Sequence, residues 1–402
     1  MFRCGEYQPY RHTSSPLGVA RRSDDINVLL THPYFWPHVH RGAEREVHDT
    51  GSLLAQRGHR VSLVTGQPSG FWSRRVMDGI DVRYVRTPLP AALVRRGITR
   101  ETVFGGVEAA GAALSRADVI VSYHYADAWG ASLVRRRRPV ALKLTGAIPL
   151  DYMREHGSAA DAALLRRALD TAALVLVNSR YAADAMAGWG REMQVLPAGL
   201  DTDLFSPSCE RASEPLVLCT AAPEEPRKRL ADLLDAWASV RELMPGARLV
   251  VAGTASRAVQ EALLARVPVE HRPSVRFAGR LNDAALVNAY SRAWVTVAPA
   301  VHEALGLATL ESLSCGTPVA GARSGATPEL LAEPGTGLLF EPGDPASLAQ
   351  AVRAAAELGR QPGGRDLCRT RAQRWAWPAI LDELEQRLDV LVDPSRAVPA
   401  PP

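Results

Sequence analysis

The strongest constraint on this 402-residue chain is a repeated alternation of short β-branched runs with longer amphipathic stretches. That pattern belongs to parallel sheets covered by helices. The first unit reads as a strand at Ile26–Leu30, a loop, a helix over Ala43–Arg57 capped by Gly58, and a strand at Arg60–Val64. Further strands are expected at Val82–Val85, Val119–Ser122, Val140–Leu144 and Leu174–Asn178. A second series opens at Leu216–Cys219. It continues with a helix over Leu230–Leu243, strands at Arg248–Ala252 and Val275–Ala278, a helix over Asp283–Arg292 and a strand at Trp294–Ala298. The expected architecture is therefore α/β, with two Rossmann-like, doubly wound domains at 25–197 and 198–376; one large α/β domain is the alternative. Such domains bind ligands at the carboxyl ends of their strands, which places the expected site in a cleft between them.

Composition narrows the class. The formal net charge of +4 is small for this length and argues against a dedicated nucleic-acid binder. The five cysteines are scattered and lack a CxxC pair, so they read as reduced thiols of a cytoplasmic protein. No apolar run reaches the length of a membrane span. Residues 1–24 are polar, contain Arg and have no hydrophobic centre, which excludes a signal peptide. They read as a disordered extension, and the Pro- and Ala-rich residues 393–402 as a disordered tail.

The segment Val301–Leu331 carries the most chemistry. Glu303 and Glu311 lie eight residues apart in the sequence. Between them Gly306 opens a helix with Leu307, Leu310 and Leu313 at helical spacing, and Gly316 ends it. One acid thus precedes a helix N-terminus and the other sits in its second turn. The N–H groups of Leu305, Gly306 and Leu307 lie between them, where a helix N-terminus attracts anions. Carboxylates accept hydrogen bonds from sugar hydroxyls, and hydroxyls beside phosphates describe a nucleotide sugar.

Other loops support this reading. Arg41-Gly42 opens the first helix, where a glycine allows close backbone approach to a ligand. Pro226-Arg227-Lys228-Arg229 places three cations ahead of a helix, after the first strand of the second series, suited to phosphate. Lys143 and Lys228 are the only lysines. Tyr123-His124-Tyr125 closes a strand at its carboxyl end and offers an acceptor or sugar contact, against a structural role. Asp201-Thr202-Asp203 looks like a metal-binding DxD, but two carboxylates alone rarely hold a divalent ion, and no metal is expected. Arg135–Arg138 reads as a solvated helix end or as a contact for anionic lipid.

Taken in order, these motifs resemble the retaining glycosyltransferases of family four, which have the GT-B fold. The matches are collinear over roughly residues 26–390. They include RGAE at Arg41–Glu44, VLPAGLDTDLFSP at Val195–Pro207, PRKRLADLLDAW at Pro226–Trp237, VRFAGRLNDAALVNAYSRA at Val275–Ala293, the spaced glutamates and RWAWPAILDELEQRL at Arg374–Leu388. The resemblance implies that Glu303 contacts the donor sugar and Glu311 the ribose. It implies that Leu305, Gly306 and Leu307 face the sugar and diphosphate, that Lys228 neutralises the diphosphate, and that Gly42 approaches it from across the cleft; Arg41 and Arg227 are further donor-binding candidates. Gly279, Arg280 and Leu281 would border the base. Residues 377–392 would form a helix crossing back onto the first domain.

The implied reaction moves a sugar from a nucleoside-diphosphate sugar, UDP favoured over GDP, to an acceptor hydroxyl, forming an α-glycoside. It needs no metal or other cofactor. Glu303, Lys228 and His124 are the candidate catalytic residues, and Tyr123, His124 and Thr145 the candidate acceptor contacts. The acceptor itself is open between a small metabolite, a glycan and a lipid-linked sugar, with at most peripheral contact at the inner face of the membrane. Three positions depart from the family pattern. Arg41 stands where a glycine is usual, Ala222 where an arginine partners the lysine, and Thr145 where a histidine is common. Arg41 could replace across the cleft the charge missing at Ala222. A non-catalytic nucleotide-sugar-binding protein and a sugar-nucleotide epimerase of the same fold are the alternatives.

Overall fold

The computed structural model describes residues 25–35, 42–67, 72–87, 99, 101–106, 115–133 and 138–396. The expected extension at 1–24, Arg41, and Arg135–Arg137 lie outside them. Two sheets form, each with helices on both faces. The first contains β1 (Asn27–His32), β2 (Arg60–Gln67), β3 (Ser73–Met77), β4 (Ile80–Arg86), β5 (Val119–Ser122), β6 (Val140–Leu144), β7 (Leu174–Val177) and β8 (Gln194–Val195). Their spatial order is β3-β4-β2-β1-β5-β6-β7-β8. Every pairing in it is parallel except β3 with β4. The second sheet contains β9 (Leu216–Thr220), β10 (Arg248–Ala252), β11 (Val275–Gly279), β12 (Val295–Ala298), β13 (Val319–Ala322) and β14 (Gly337–Phe340), ordered β11-β10-β9-β12-β13-β14 and wholly parallel.

Alternation along the strands separates the two faces of the first sheet. Val28 and Leu30 of β1 point to one face, with Val61 and Leu63 of β2 and Val119 and Val121 of β5. Leu29, Val64 and Ile120 point to the other. The first face is covered by α1 (Gly42–Gln56) and the second by α2 (Tyr125–Leu133) and α3 (Ala159–Thr171). A short helix, α4 (Arg180–Ala185), follows β7.

In the second half, the expected helix over Leu230–Leu243 is two helices, α5 (Leu230–Asp235) and α6 (Trp237–Leu243), divided at Ala236. Both segments bury apolar residues against the same core, Leu233 and Leu234 before the break and Trp237 and Val240 after it. Periodicity alone therefore could not reveal it. The elements around the cleft are α7 (Asp283–Arg292), α8 (Leu307–Ser314) and α9 (Thr327–Leu330). The sequence reading omitted β3, β8 and β14. β3 is an exposed edge strand without an apolar run, and β8 is only two residues long.

The last long helix, α10 (Trp377–Val392), returns to the first domain. Its Trp377, Ile380, Leu381, Leu384 and Leu388 are buried in the same cluster as Val28, Leu30 and Leu54. Each such side chain contributes roughly 1.5–3 kcal/mol on burial, so α10 is fixed there although it follows the second domain in the chain. The two interdomain crossings are bonded to each other. Leu200 N donates to Trp375 O at 2.7 Å, and Trp377 N to Leu200 O at 3.1 Å. Gly199 is required at this crossing, since a β-carbon would lie 2.3 Å from the Trp377 ring. The tail departs from expectation at its start. Pro394–Arg396 form a 3-10 turn, with Arg396 3.5 Å from Asp393 and 3.9 Å from Asp389. Those ion pairs hold the turn to the end of α10; residues 397–402 lie outside the described residues.

Candidate active site

The loops after β9, β12 and β13 meet at the carboxyl edge of the second sheet. Pro226–Lys228 form a single 3-10 turn, and its Arg227 carbonyl accepts a hydrogen bond from Val301 N at 3.0 Å. That bond brings the basic turn against the loop of Glu303. Lys228 Nζ lies 2.5 Å from Glu303 Oε1, and Arg227 Nη1 donates to the same oxygen at 3.0 Å. Arg227 also grips Glu225 at 2.6 Å. Arg229, with φ 48°, turns away and pairs with Asp232 at 2.7 Å.

The Glu303 loop is rigidly seated. Ala326 N donates to Glu303 O at 2.8 Å, and His302 N to Ser324 Oγ at 3.1 Å. Gly325 lies between these anchors with φ 62°, and a β-carbon there would come within 2.5 Å of Glu303 O. His302 itself is held at φ 57°, a conformation unusual outside glycine.

Gly306, at φ 95°, leads into α8. In its first turn Thr309 N donates to Gly306 O at 2.9 Å, which leaves the N–H groups of Leu307 and Ala308 without an intrahelical acceptor by geometry. Across the cleft, Gly42 begins α1, and a β-carbon on it would lie 3.3 Å from Leu307 Cδ1. Two helix N-termini thus face each other, each carrying partial positive charge. Leu305 is buried and Leu307 partly buried beside this meeting point.

Glu311 occupies the second turn of α8. Tyr290 of α7 donates to its Oε2 at 2.9 Å, and the Tyr290 hydroxyl also bonds Thr220 at 2.9 Å. Burial pushes the Glu311 carboxyl up to about 7, opposed by the Arg45 guanidinium arriving from α1. Arg45 lies 3.8 Å from Asp283 and 5.7 Å over the Phe205 ring, so it spans the two domains. The sequence reading passed over Arg45 and Tyr290. Both lie inside recognised segments, but only the fold shows that they converge on Glu311. Gly279, with φ 67°, ends β11, and its carbonyl accepts from Gly253 N at 2.9 Å. Nothing stands within 4 Å of its missing β-carbon, while Arg280 is exposed and Leu281 half-buried.

The first domain supplies the opposite wall. Tyr34 donates to Glu101 at 2.6 Å, and Tyr125 to Asp161 at 3.4 Å. The His124 ring stacks on Tyr125 at 4.3 Å, and its Nδ1 accepts from Ala126 N at 3.2 Å. Burial pulls His124 down to about 4, so its ring is neutral and presents Nε2 as its remaining polar atom. Tyr123 corrects an expectation. It is buried beneath α1 and donates to Thr50 at 3.0 Å, because alternation turns it to the face opposite His124. Thr145 is half-buried at the end of β6, its carbonyl accepting from Asn178 at 3.2 Å. Lys143 is buried under the same helices. Its ammonium is spent on Asn178 and the Leu196 carbonyl, with Glu46 at 3.5 Å.

The DxD-like pair is a turn. Asp201 Oδ1 accepts from Asp203 N at 3.1 Å and Leu204 N at 2.8 Å. Among the described residues no group of three or more His, Cys, Asp or Glu is arranged to hold a metal ion. The cysteines at 209, 219, 315 and 368 are free. No helix among the described residues is long and apolar enough to cross a membrane.

Known proteins are similar to this chain in sequence and in fold. Residues 214–357 match the family described as glycosyl transferases group 1, and residues 41–199 match a glycosyl transferase 4-like domain. The chain is 32% identical to a phosphatidyl-myo-inositol mannosyltransferase of Mycobacterium leprae, over 42% of this chain and 46% of that one. It is 29% identical to a D-inositol 3-phosphate glycosyltransferase of Segniliparus rotundus, over 51% of this chain and 47% of that one. The chain thus spans about half the length of these curated relatives. Among solved structures, sucrose-phosphate synthase from Thermosynechococcus elongatus superposes with a TM-score of 0.75 at 20% identity, covering 90% of this chain and 98% of that one. Anabaena HepE in complex with UDP superposes at 0.71 and 19% identity, covering 90% and 99%.

Proposed function

The chain belongs to the group 1 glycosyl transferases and has their GT-B fold, and from that premise we propose that it transfers a sugar from a nucleoside-diphosphate sugar to an acceptor hydroxyl with retention at the anomeric carbon. The observation that carries the reading is the meeting of two helix N-termini at Gly42 and Leu307, together with Lys228 and Arg227 held on Glu303 in the loop that leads into the second of those helices. Backbone N–H groups at helix starts and paired cations are the groups that bind a diphosphate. Glu311 stands one helical turn away for the ribose, and Glu303 beside the cations for the sugar hydroxyls.

The chemistry follows from charge. As the bond from the anomeric carbon to the diphosphate breaks, negative charge grows on the leaving oxygen. Lys228, Arg227 and the helix amides stabilise it in place. The acceptor oxygen attacks from the same face, and its proton passes to the departing phosphate. His32, Tyr34, His124 and Thr145 stand at the carboxyl ends of β1, β5 and β6, where the acceptor would be oriented. His124, neutral and with Nδ1 accepting from Ala126 N, would donate a hydrogen bond there from Nε2 and carry no charge. The scheme assigns the leaving-group charge to Lys228, Arg227 and the helix amides and includes no metal.

UDP is the favoured nucleotide, supported by the UDP complex of Anabaena HepE. A GDP-mannose-dependent mannosyltransferase of Corynebacterium glutamicum, 29% identical over 39% of this chain, keeps GDP as the alternative. Incubation with UDP-glucose and with GDP-mannose, each with and without a panel of hydroxylated acceptors, tests the reading. Acceptor-dependent release of nucleoside diphosphate supports it. Binding without turnover on any acceptor would leave a nucleotide-sugar-binding protein, and an altered sugar on intact donor an epimerase.

A further inference from the structure

We propose that Glu329 and Tyr181, from opposite domains, are positioning residues that lock the Glu303 loop against the first domain during the reaction. The proposal rests on the reading of Glu303 as part of the donor-sugar site.

Helix α4 of the first domain begins at Arg180. Its cap, Ser179, supplies a side-chain acceptor for Ala182 N at 3.1 Å and a carbonyl for Ala183 N at 3.1 Å. The two remaining first-turn amides are met from the other domain. Arg180 N donates to Glu329 Oε2 at 3.1 Å, and Tyr181 N to Glu329 Oε1 at 2.6 Å. A carboxylate at a helix N-terminus is favoured by both hydrogen bonding and the local dipole. Here the capping carboxylate comes from a residue 149 positions away from Arg180.

A second bridge lies beside the first. The Tyr181 hydroxyl meets His302 Nδ1 at 3.0 Å. His302 precedes Glu303, and Ala326, three residues before Glu329, donates to Glu303 O. The contacts therefore close a ring running from Tyr181 through His302, Glu303, Ala326 and Glu329 back to Tyr181. The base of that ring is fixed, because Arg371 donates to Glu329 O at 3.0 Å and to Leu330 O at 3.4 Å. Separating the domains breaks both bridges at once and frees the strained His302. Joining them fixes Glu303 relative to the wall that carries His124. No contact of this ring touches Glu311, so nucleotide binding and loop positioning are separable.

The test compares wild type with Glu329→Ala, Glu329→Gln and Tyr181→Phe. All four should melt within a few degrees of one another, since Glu329 and Tyr181 are only half-buried. Small-angle scattering without nucleotide should show a larger radius of gyration for Glu329→Ala than for wild type. With UDP-glucose as donor, Glu329→Ala should lose roughly tenfold or more in kcat while its Kd for UDP stays within about twofold. Glu329→Gln keeps an acceptor oxygen for Tyr181 N and should recover much of the loss. Tyr181→Phe should show a smaller loss in kcat. Folded Glu329→Ala with wild-type scattering and wild-type kcat overturns the proposal. If wild type binds neither UDP nor GDP, the donor-site reading fails instead, and matched scattering curves would still overturn the lock on their own.

Discussion

Lys228 Nζ and Glu303 Oε1 stand 2.5 Å apart, and Arg227 shares that oxygen at 3.0 Å. One carboxylate thus holds two cations of a turn that precedes it by some seventy-five residues. With Glu225 also on Arg227, the cluster's two cations and two carboxylates balance in charge. A diphosphate would draw the cations from Glu303 and release that carboxylate for sugar hydroxyls.

Lys228→Ala removes the ammonium from this cluster. The loss should be several kcal/mol of transition-state stabilisation, on the order of a hundredfold or more in turnover. Steady-state kinetics with the preferred donor measures it. Near-normal turnover would mean that Arg227 carries the leaving-group charge alone.

Glu303→Ala and Glu311→Ala should separate sugar from nucleotide. Loss of the ribose contact at Glu311 should weaken both free UDP and UDP-sugar, by roughly 1.5–3 kcal/mol for a charge-assisted hydrogen bond. Glu303→Ala should leave free UDP binding intact and reduce turnover. Calorimetry with UDP alone decides; equal losses in both variants contradict the division of roles.

Nucleotide affinity should rise with pH through neutrality. Burial holds Glu311 near 7 in the free protein, and a ribose diol donates best to the ionised carboxylate. Between about pH 6 and about pH 8 binding should tighten and release a proton, and Glu311→Gln should flatten the slope. Stability runs the other way. The folded carboxyl keeps its proton above the ordinary value of 4.5, so its contribution falls as pH rises from there through about 7. Relative to wild type, Glu311→Gln should therefore gain melting temperature on the alkaline side of that window. A pH-independent affinity in wild type would remove Glu311 from the ribose site.

Gly42→Val tests the juxtaposed helix ends. A β-carbon alone would sit 3.3 Å from Leu307 Cδ1, and two further methyl groups must displace it. Turnover should fall sharply while the melting temperature changes little, since the position faces a cleft. Wild-type kinetics in this variant would show that the two N-termini do not approach during the reaction.

Transfer should continue in excess EDTA. The site offers cations and amides for the diphosphate, and Asp201 already caps its own turn. Activity abolished by chelation and restored by magnesium or manganese would require a metal site that the described residues do not form.

The alternation of apolar runs placed β5, β6 and β10 at their observed ends, because a strand buried on both faces leaves a continuous apolar signature. It missed β3, whose residues are almost all exposed, and the break at Ala236, whose flanks bury the same face. The spacing of Glu303, Gly306 and Glu311 was legible because one helix and its N-terminal loop carry all three. By itself, then, the sequence determined two doubly wound domains and the segments that build the site, since local periodicity and turn chemistry are encoded within a few residues. Only the tertiary structure decided what those segments meet. It buried Tyr123 under α1, brought Arg45 and Tyr290 to Glu311, and set the Glu329 carboxylate on the amides of Arg180 and Tyr181. Such contacts join residues far apart in the chain and depend on how two domains are seated. No local pattern records that, because the energy deciding it comes from packing and hydrogen bonds across the cleft.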